Sequence, residues 1–410
     1  MHPQPWTSLA GPVVAAVLGL VISLVAVPAQ AAGDDDVLPF YRPPAALPSA
    51  DGDLVRSEPI TYLLDPAGVS NLAVTSTRVL YRSTNRAGKA NAVSGSVIVP
   101  KAPWVGPGKR PVIGYAVGTQ GLDDRCAPSR QFSDGFEYEG IFMNGLLARG
   151  YALAVTDYEG LGTAGIHTYM DRVSQGRAVL DAVRAAQRLP GSGLGAANPV
   201  GLAGYSQGGG AAASAAELAG SYAPELKIKG SVVGAVPADL TVLPGNLDQG
   251  LWAEFLWFAI AGISASYDLD IDSYLNADGQ DFLDRVSDDC VFDLGTAAFS
   301  NSSDYSLDGS NLAELSRQEP FRSMLADQRI GRTKPSAPVL VTHSALDDTI
   351  PFKVGKQLAK DWCATGANVR FSANVTPLHV GGMLNNSAEV YAFLEARLLG
   401  LPAISSCWRL

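Results

Sequence analysis

The sequence predicts an α/β fold built on a mostly parallel central sheet, with one helical insertion. Three observations carry that expectation. Apolar runs of strand length alternate with longer stretches whose apolar residues recur at helical spacing, as in parallel sheets covered on both faces. The pentapeptide Gly204-Tyr205-Ser206-Gln207-Gly208 follows one such run, 200–203, and opens a small-residue stretch, 209–216. Finally, about 100 residues, 237–334, separate two strands that a short helix would ordinarily join, so this gap needs structure of its own.

In chain order, residues 1–32 read as a secretory signal peptide. Residues 9–27 are apolar and end in Pro28-Ala29-Gln30-Ala31-Ala32, an A-x-A-like cleavage site. No Lys or Arg precedes the stretch, so a retained anchor is the alternative, about 19 apolar residues being nearly enough to span a bilayer. Residues 33–58, rich in Pro, Ala and Asp, read as an extended arm. Runs at 60–64, 72–81 and 92–99 favour β structure. Strands are then expected over 112–117, 151–156, 200–203, 228–236, 339–343 and 369–375. Helices are expected over 140–149, 171–189, 207–219, 353–363 and 388–399, and in the second of these Val179, Val183 and Ala186 share a face. The core is thus assigned to 33–236 and 335–410, with 237–334 as a cap or lid. Within that insertion 251–260 is apolar almost all round, the mark of a helix that is fully buried or walls a greasy pocket. Trp252, Phe255, Leu256 and Phe258 are its candidates for contact with an apolar substrate. There are no internal repeats.

At 410 residues, 47% hydrophobic and 17% charged, the chain can bury a large core. Its net charge of −10 argues against nucleic acid and against electrostatic docking on an anionic bilayer. Cys126, Cys290, Cys363 and Cys407 are an even set in an exported chain, which points to two disulfides, and three pairings satisfy the count.

The G-x-S-x-G pentapeptide, between a strand and an alanine-rich helix, has the context of a nucleophile elbow. The turn is too tight for flanking side chains, so glycines stand there and the Ser206 hydroxyl projects outward. A serine hydroxyl needs a base within hydrogen-bond reach, oriented by a third group. In hydrolases with this elbow the chain order is Ser, then Asp or Glu, then His. His379 alone lies beyond the last expected strand. His2 falls in the signal, His343 ends a strand as structure, and His167 precedes the serine, where it could line a cleft. Asp347 and Asp348 compete for the acid just past a strand; Asp347 is favoured, with Asp348 as a solvated or capping neighbour.

The first oxyanion donor is the N–H of Gln207, and the second comes from Gly118-Thr119-Gln120-Gly121, with Gln120 ahead of Thr119. Asp157, in Asp157-Tyr158-Glu159-Gly160-Leu161-Gly162, reads as a carboxylate capping a tight turn. Asp268, Asp270 and Asp272 resemble a calcium loop only briefly, because Ser273 and Gly279 stand where that loop needs Gly and Glu. No cofactor or metal is expected.

Together these residues resemble the secretory LIP-family lipases. The matching stretches include Phe40-Tyr41-Arg42-Pro43-Pro44, Val79-Leu80-Tyr81-Arg82-Ser83, Gly118 to Gly121 with Cys126-Ala127-Pro128-Ser129, the Asp157 to Gly162 turn, and Tyr222-Ala223-Pro224-Glu225-Leu226. The resemblance spans nearly the whole mature chain. It implies an α/β-hydrolase core under a helical cap, hydrolysis of long-chain lipid esters, and Ser206, Asp347 and His379 as the triad. It also implies disulfides Cys126–Cys290 and Cys363–Cys407. The expected protein is a secreted, monomeric lipase or carboxylesterase acting on lipid or small esters and meeting a lipid interface through its cap. The alternatives are an acyltransferase, a serine exopeptidase, or a non-catalytic binding protein on the same fold.

Overall fold

The computed structural model describes residues 38–62, 73–135, 137–293 and 296–410. The expected signal peptide lies outside the described residues.

Among the described residues nine strands form a single sheet. They are β1 (Leu54–Ile60), β2 (Val74–Thr84), β3 (Ala90–Pro100), β4 (Val112–Ala116), β5 (Ala152–Tyr158), β6 (Val200–Tyr205), β7 (Ile228–Gly234), β8 (Val339–Ser344) and β9 (Val369–Asn374), in the order β1-β2-β3-β5-β4-β6-β7-β8-β9. The β1–β2, β2–β3 and β3–β5 pairings are antiparallel and all later ones parallel. Every residue of β4, β5 and β8 is buried, because parallel strands covered on both faces leave no polar side.

The α-helices longer than four residues, among the described residues, are α1 (Pro128–Asp134), α2 (Gly140–Ala148), α3 (Arg172–Arg188), α4 (Gln207–Tyr222), α5 (Glu254–Ser266), α6 (Ala277–Ser287), α7 (Phe321–Asp327), α8 (Phe352–Ala364) and α9 (His379–Leu398). α3 and α4 pack side by side on one face of the sheet, and α9 packs on β6, β7 and β8 beside α2. The α3–α4 approach depends on small residues: a Cβ on Gly176 would stand 2.7 Å from Ser214 Oγ. The Asp171 carboxylate accepts from the Ser174 amide at 2.8 Å and starts α3.

Three expectations need correcting. Strand β1 lies in the stretch read as an arm; it is a half-exposed edge strand containing Pro59, so its composition hides it. Helix α9 begins at His379, nine residues before the expected start. Gly381 and Gly382 weaken the helical pattern there, yet the close packing needs Gly382, whose Cβ would sit 2.8 Å from the Tyr205 hydroxyl and 3.0 Å from Ser344 Cβ. Asp157 does not cap its own turn. It is fully buried and accepts from Ser94 Oγ at 2.6 Å, the Ser129 amide at 2.9 Å and the Ser129 hydroxyl, tying β3 to α1; Asp124 takes the turn's Gly162 amide instead, at 2.8 Å.

Between β7 and β8 the chain folds into α5, α6, α7 and short turns. Trp257, Phe258, Phe282, Leu283 and Val286 form an apolar cluster of their own, separate from the main core. Among the described residues no helix is long and apolar enough to cross a membrane. Disulfide Cys126–Cys290 joins the loop after β4 to this segment, and Cys363–Cys407 ties the end of α8 to the C-terminal turn. The first junction is reinforced by a β-bridge between Gly121 and Cys290 and by the Val291 amide donating to the Gln120 carbonyl at 2.8 Å.

Candidate active site

All the singled-out chemistry gathers at the carboxyl ends of the parallel strands, where loops of an open α/β sheet present their side chains. Ser206 stands between β6 and α4 with φ 57° and ψ −124°, a strained conformation for a residue with a Cβ, costing on the order of 1–3 kcal/mol. Its neighbours explain the glycines. A Cβ on Gly204 would meet the Gly208 carbonyl oxygen at 2.2 Å, and one on Gly208 would meet the Ala116 oxygen at 2.0 Å. The Ser206 amide donates to the Gly234 carbonyl at 3.0 Å and its own carbonyl accepts from Gly210 at 2.9 Å, so β7 and the first turn of α4 hold the strain. Gln207 is the first residue of α4, where an amide has no intrahelical acceptor and the helix dipole favours negative charge.

His379 stands at the start of α9. Its Nδ1 is 2.8 and 3.0 Å from the two Asp347 oxygens. Asp347 Oδ1 also accepts from the Thr349 and Ile350 amides, at 2.9 and 2.8 Å. Burial alone would raise this carboxyl, but the imidazole and the Ile350 amide outweigh it and hold it below the usual carboxylate range. Nδ1 is thus the ring nitrogen that donates to the acid, and Nε2 faces away from it. That nitrogen is buried with no hydrogen-bond partner, so a Ser206–His379 bond is not closed here. Asp348 does something else: it accepts from the His379 amide at 2.8 Å and the Trp252 indole at 3.2 Å, fixing the start of α9. His343 is fully buried, bonds the Ile350 carbonyl through Nε2 at 2.9 Å, and is held below its usual pKa by burial.

The loop Gly118–Gly121 follows β4. The Gly118 amide donates to Glu139 Oε1 at 3.1 Å and is occupied. Thr119 Oγ1 pairs with the Tyr169 hydroxyl at 2.6 Å, and Gln120 Nε2 donates to Glu137 Oε1 at 3.2 Å. Burial pushes both buried acids up, Glu139 to about 8. His167, also held down by burial, to about 4, is neutral. Its Nδ1 donates to the Glu159 carbonyl at 2.9 Å, leaving Nε2 to accept from Gln207 Nε2 at 3.0 Å.

Sequence reasoning missed Tyr205, which donates to the His379 carbonyl at 2.8 Å with its ring 5.0 Å from the imidazole. It sits inside the recognised pentapeptide, a visible signal. Glu137 and Glu139 had no signal, since in sequence they match a surface pair.

Ser206 opens onto a cavity walled by Leu243, Phe255, Leu256, Ile260, Ile263 and Leu325, among others. Its volume is about 100 Å³. No Asp, Glu, Lys or Arg lines it among the described residues. Phe255 and Leu256 are in its wall, whereas Trp252 stacks on Phe255 outside it and Phe258 belongs to the separate apolar cluster. Glu254, the charge in that helix, is 1% exposed and also outside the wall.

The family model described as secretory lipase, LIP, matches residues 131–406. A probable inactive lipase of Mycobacterium tuberculosis is 30% identical, over 89% of this chain and 82% of that one. A secreted triacylglycerol lipase of Malassezia globosa is 30% identical, over 96% and 87%. The closed-state crystal structure of Candida antarctica lipase A superposes with a TM-score of 0.80 at 25% identity, covering 92% of this chain and 89% of that one.

Proposed function

The chain belongs to the secretory lipase (LIP) family, and from that premise we propose that Ser206, His379 and Asp347 hydrolyse acylglycerol-type lipid esters through an acyl-enzyme. As a family member the protein is a secreted carboxylic ester hydrolase of the lipase or esterase kind. In the proposed reaction His379 Nε2 takes the Ser206 proton as Oγ attacks the ester carbonyl. The Gln207 amide and that of Gln120 or Thr119 stabilise the oxyanion, with the Gly118 amide already engaged. The imidazolium, steadied by Asp347, protonates the departing alcohol. Water, activated by the same imidazole, then releases the fatty acid.

The segment 237–334 acts as the cap, and its cavity wall receives the acyl chain. The observation that supports a lipid substrate most is that wall: apolar, uncharged, and open at the nucleophile. A serine exopeptidase would need a carboxylate there to hold the substrate amine. The narrow free space supports a closed cap that must part before a long chain enters.

The test is a panel of p-nitrophenyl esters from acetate to palmitate, together with emulsified triolein, for the wild type and Ser206→Ala. Turnover of the long esters by the wild type alone is expected. Equal turnover by both proteins removes the nucleophile, and acetate-only activity removes the lipid substrate. No turnover by either would place this chain beside its relative named as inactive.

A further inference from the structure

We propose that the core loops bearing Asp347 and His379, rather than the cap alone, form the face that docks this protein on a neutral lipid surface. The inference rests on the ester-hydrolase reading and adds to it where the substrate's phase is met.

Five large apolar side chains stand exposed around these two residues: Leu346, Val375, Leu378, Val380 and Leu384, each between 46% and 73% exposed. They form one patch. The Leu346 amide donates to Ser344 Oγ at 3.1 Å, and that hydroxyl donates to the Thr376 carbonyl. A Cβ on Gly381 would stand 3.0 Å from Thr376 Cγ2, so the loop before His379 lies against the first turn of α9. Val380 and Leu384 are four residues apart on that helix and share a face. The His379 side chain, 11% exposed, lies among them. Across Asp348, whose carboxylate holds Trp252, the exposed Leu251 continues the apolar rim. A contiguous apolar patch at the mouth of a site marks an interaction surface.

Charge selects the partner. From Phe371 to Ala388 there is no Asp, Glu, Lys or Arg, in a chain with 17% charged residues and a net charge of −10. A patch with no cation, on an acidic protein, is suited to uncharged or zwitterionic lipid and is repelled by an anionic surface. Contact there would put ester groups at the catalytic rim whether or not the cap has parted. A second exposed apolar group, Ile404 and Trp408, serves as a control. The Ser406 amide bonds the carbonyl of Val369, the first residue of β9, so this group lies at the opposite end of the sheet from the site.

The experiment is flotation of Ser206→Ala protein with phosphatidylcholine vesicles and with triolein droplets, which reads docking without turnover. Adding Val375→Asp and Leu384→Asp should weaken adsorption about tenfold or more, while Ile404→Asp and Trp408→Asp leave it unchanged. With Ser206 present, the Val375/Leu384 pair should keep soluble p-nitrophenyl acetate turnover within about twofold and leave the melting temperature unmoved, because both side chains are on the surface. Phosphatidylglycerol vesicles should bind the parent more weakly. Unchanged adsorption by the Val375/Leu384 pair, equal loss by the control pair, or tighter binding to phosphatidylglycerol each overturns the proposal. So does finding that the pair only dissociates a dimer. Absence of soluble-ester turnover in the wild type would defeat the ester-hydrolase reading, yet flotation would still decide the docking face.

Discussion

The strand-end loops and the 237–334 segment meet at Ser206, and they are held together by opposite means. In the loops the site residues are held by directional bonds: Asp347 answers an imidazole and two amides, Asp348 fixes the backbone of His379, and Ser206 is kept strained by β7 and α4. The segment over the cavity packs around an apolar cluster of its own, and its polar ties lie at its margins: at Cys126–Cys290, where Asp327 and Gln328 meet Arg86 and Arg172, and where Asn246 and Trp252 meet Thr349 and Asp348. Directional bonds fix a few atoms to fractions of an ångström, whereas apolar packing tolerates displacement and volume-conserving change. On the proposed reading, the difference makes chemistry and substrate choice separable in this molecule. Changes in the loops should abolish turnover of every ester, and changes in the wall should redistribute turnover among esters.

The largest effects should fall in the loops. Ser206→Ala is expected to lower kcat by about 10⁵-fold or more for short and long esters alike. Selective loss on long esters, measured with the same panel, would break the comparison. Next, Asp347→Asn should reduce kcat by about 10⁴-fold, since the amide favours the wrong tautomer of His379. Asp348→Asn removes charge from contacts with the His379 amide and the Trp252 indole, neither of them the imidazole, and should stay within about tenfold. Steady-state rates of the two variants separate the neighbours, and a reversal would exchange their roles.

The junction between the regions comes next. Replacing Cys126 and Cys290 together by Ser opens a loop of 164 residues and should lower stability by about 5 kcal/mol in the chain-entropy model. Opening the 44-residue Cys363–Cys407 loop should lower it by about 4 kcal/mol. Denaturant unfolding of each pair checks the order. Glu139 bears on the same loop through the Gly118 amide. Its folded pKa is raised by burial, to about 8, above the ordinary 4.5. The native state therefore binds a proton that the unfolded chain releases, and stability falls as pH climbs from the ordinary value through the folded one. Glu139→Gln keeps an acceptor for Gly118 and removes the ionisation. Its melting temperature should decline less than the wild type's across that window, and parallel curves would show that Glu139 does not titrate there.

The same contrast explains what the sequence made legible. Apolar runs such as those of β4 and β8 are buried on both faces, so composition alone marks them, and the elbow's glycines follow from local sterics. The order of nucleophile, acid and histidine then singles out His379, because only one histidine lies beyond the last strand. Edge strand β1 escaped because half-exposed residues and a proline resemble an arm. Helix α5 was readable as apolar, but not its faces. A helix greasy all round has no periodicity to tell Phe258, in the separate cluster, from Ile260, in the cavity wall. His167 was legible only as a cleft-lining candidate, and Glu137 and Glu139 were illegible as parts of the site because burial, not residue type, gives them their partners.

The wall offers the smallest and most selective prediction. Ile260 is half-buried and lines the cavity, so Ile260→Trp fills space that an acyl chain needs without touching the loops. Turnover of p-nitrophenyl palmitate should fall about tenfold or more, the scale of even one misfitted methylene in an apolar pocket, while butyrate stays within about threefold. Ile260→Ala, which enlarges the space, should leave the butyrate rate unchanged and spare or raise the palmitate rate. Parallel losses on both esters in the Trp variant, with an unchanged melting temperature, would mean that the wall also orients the triad. The separation of chemistry from substrate choice would then fail at the residue where it is most exposed to test.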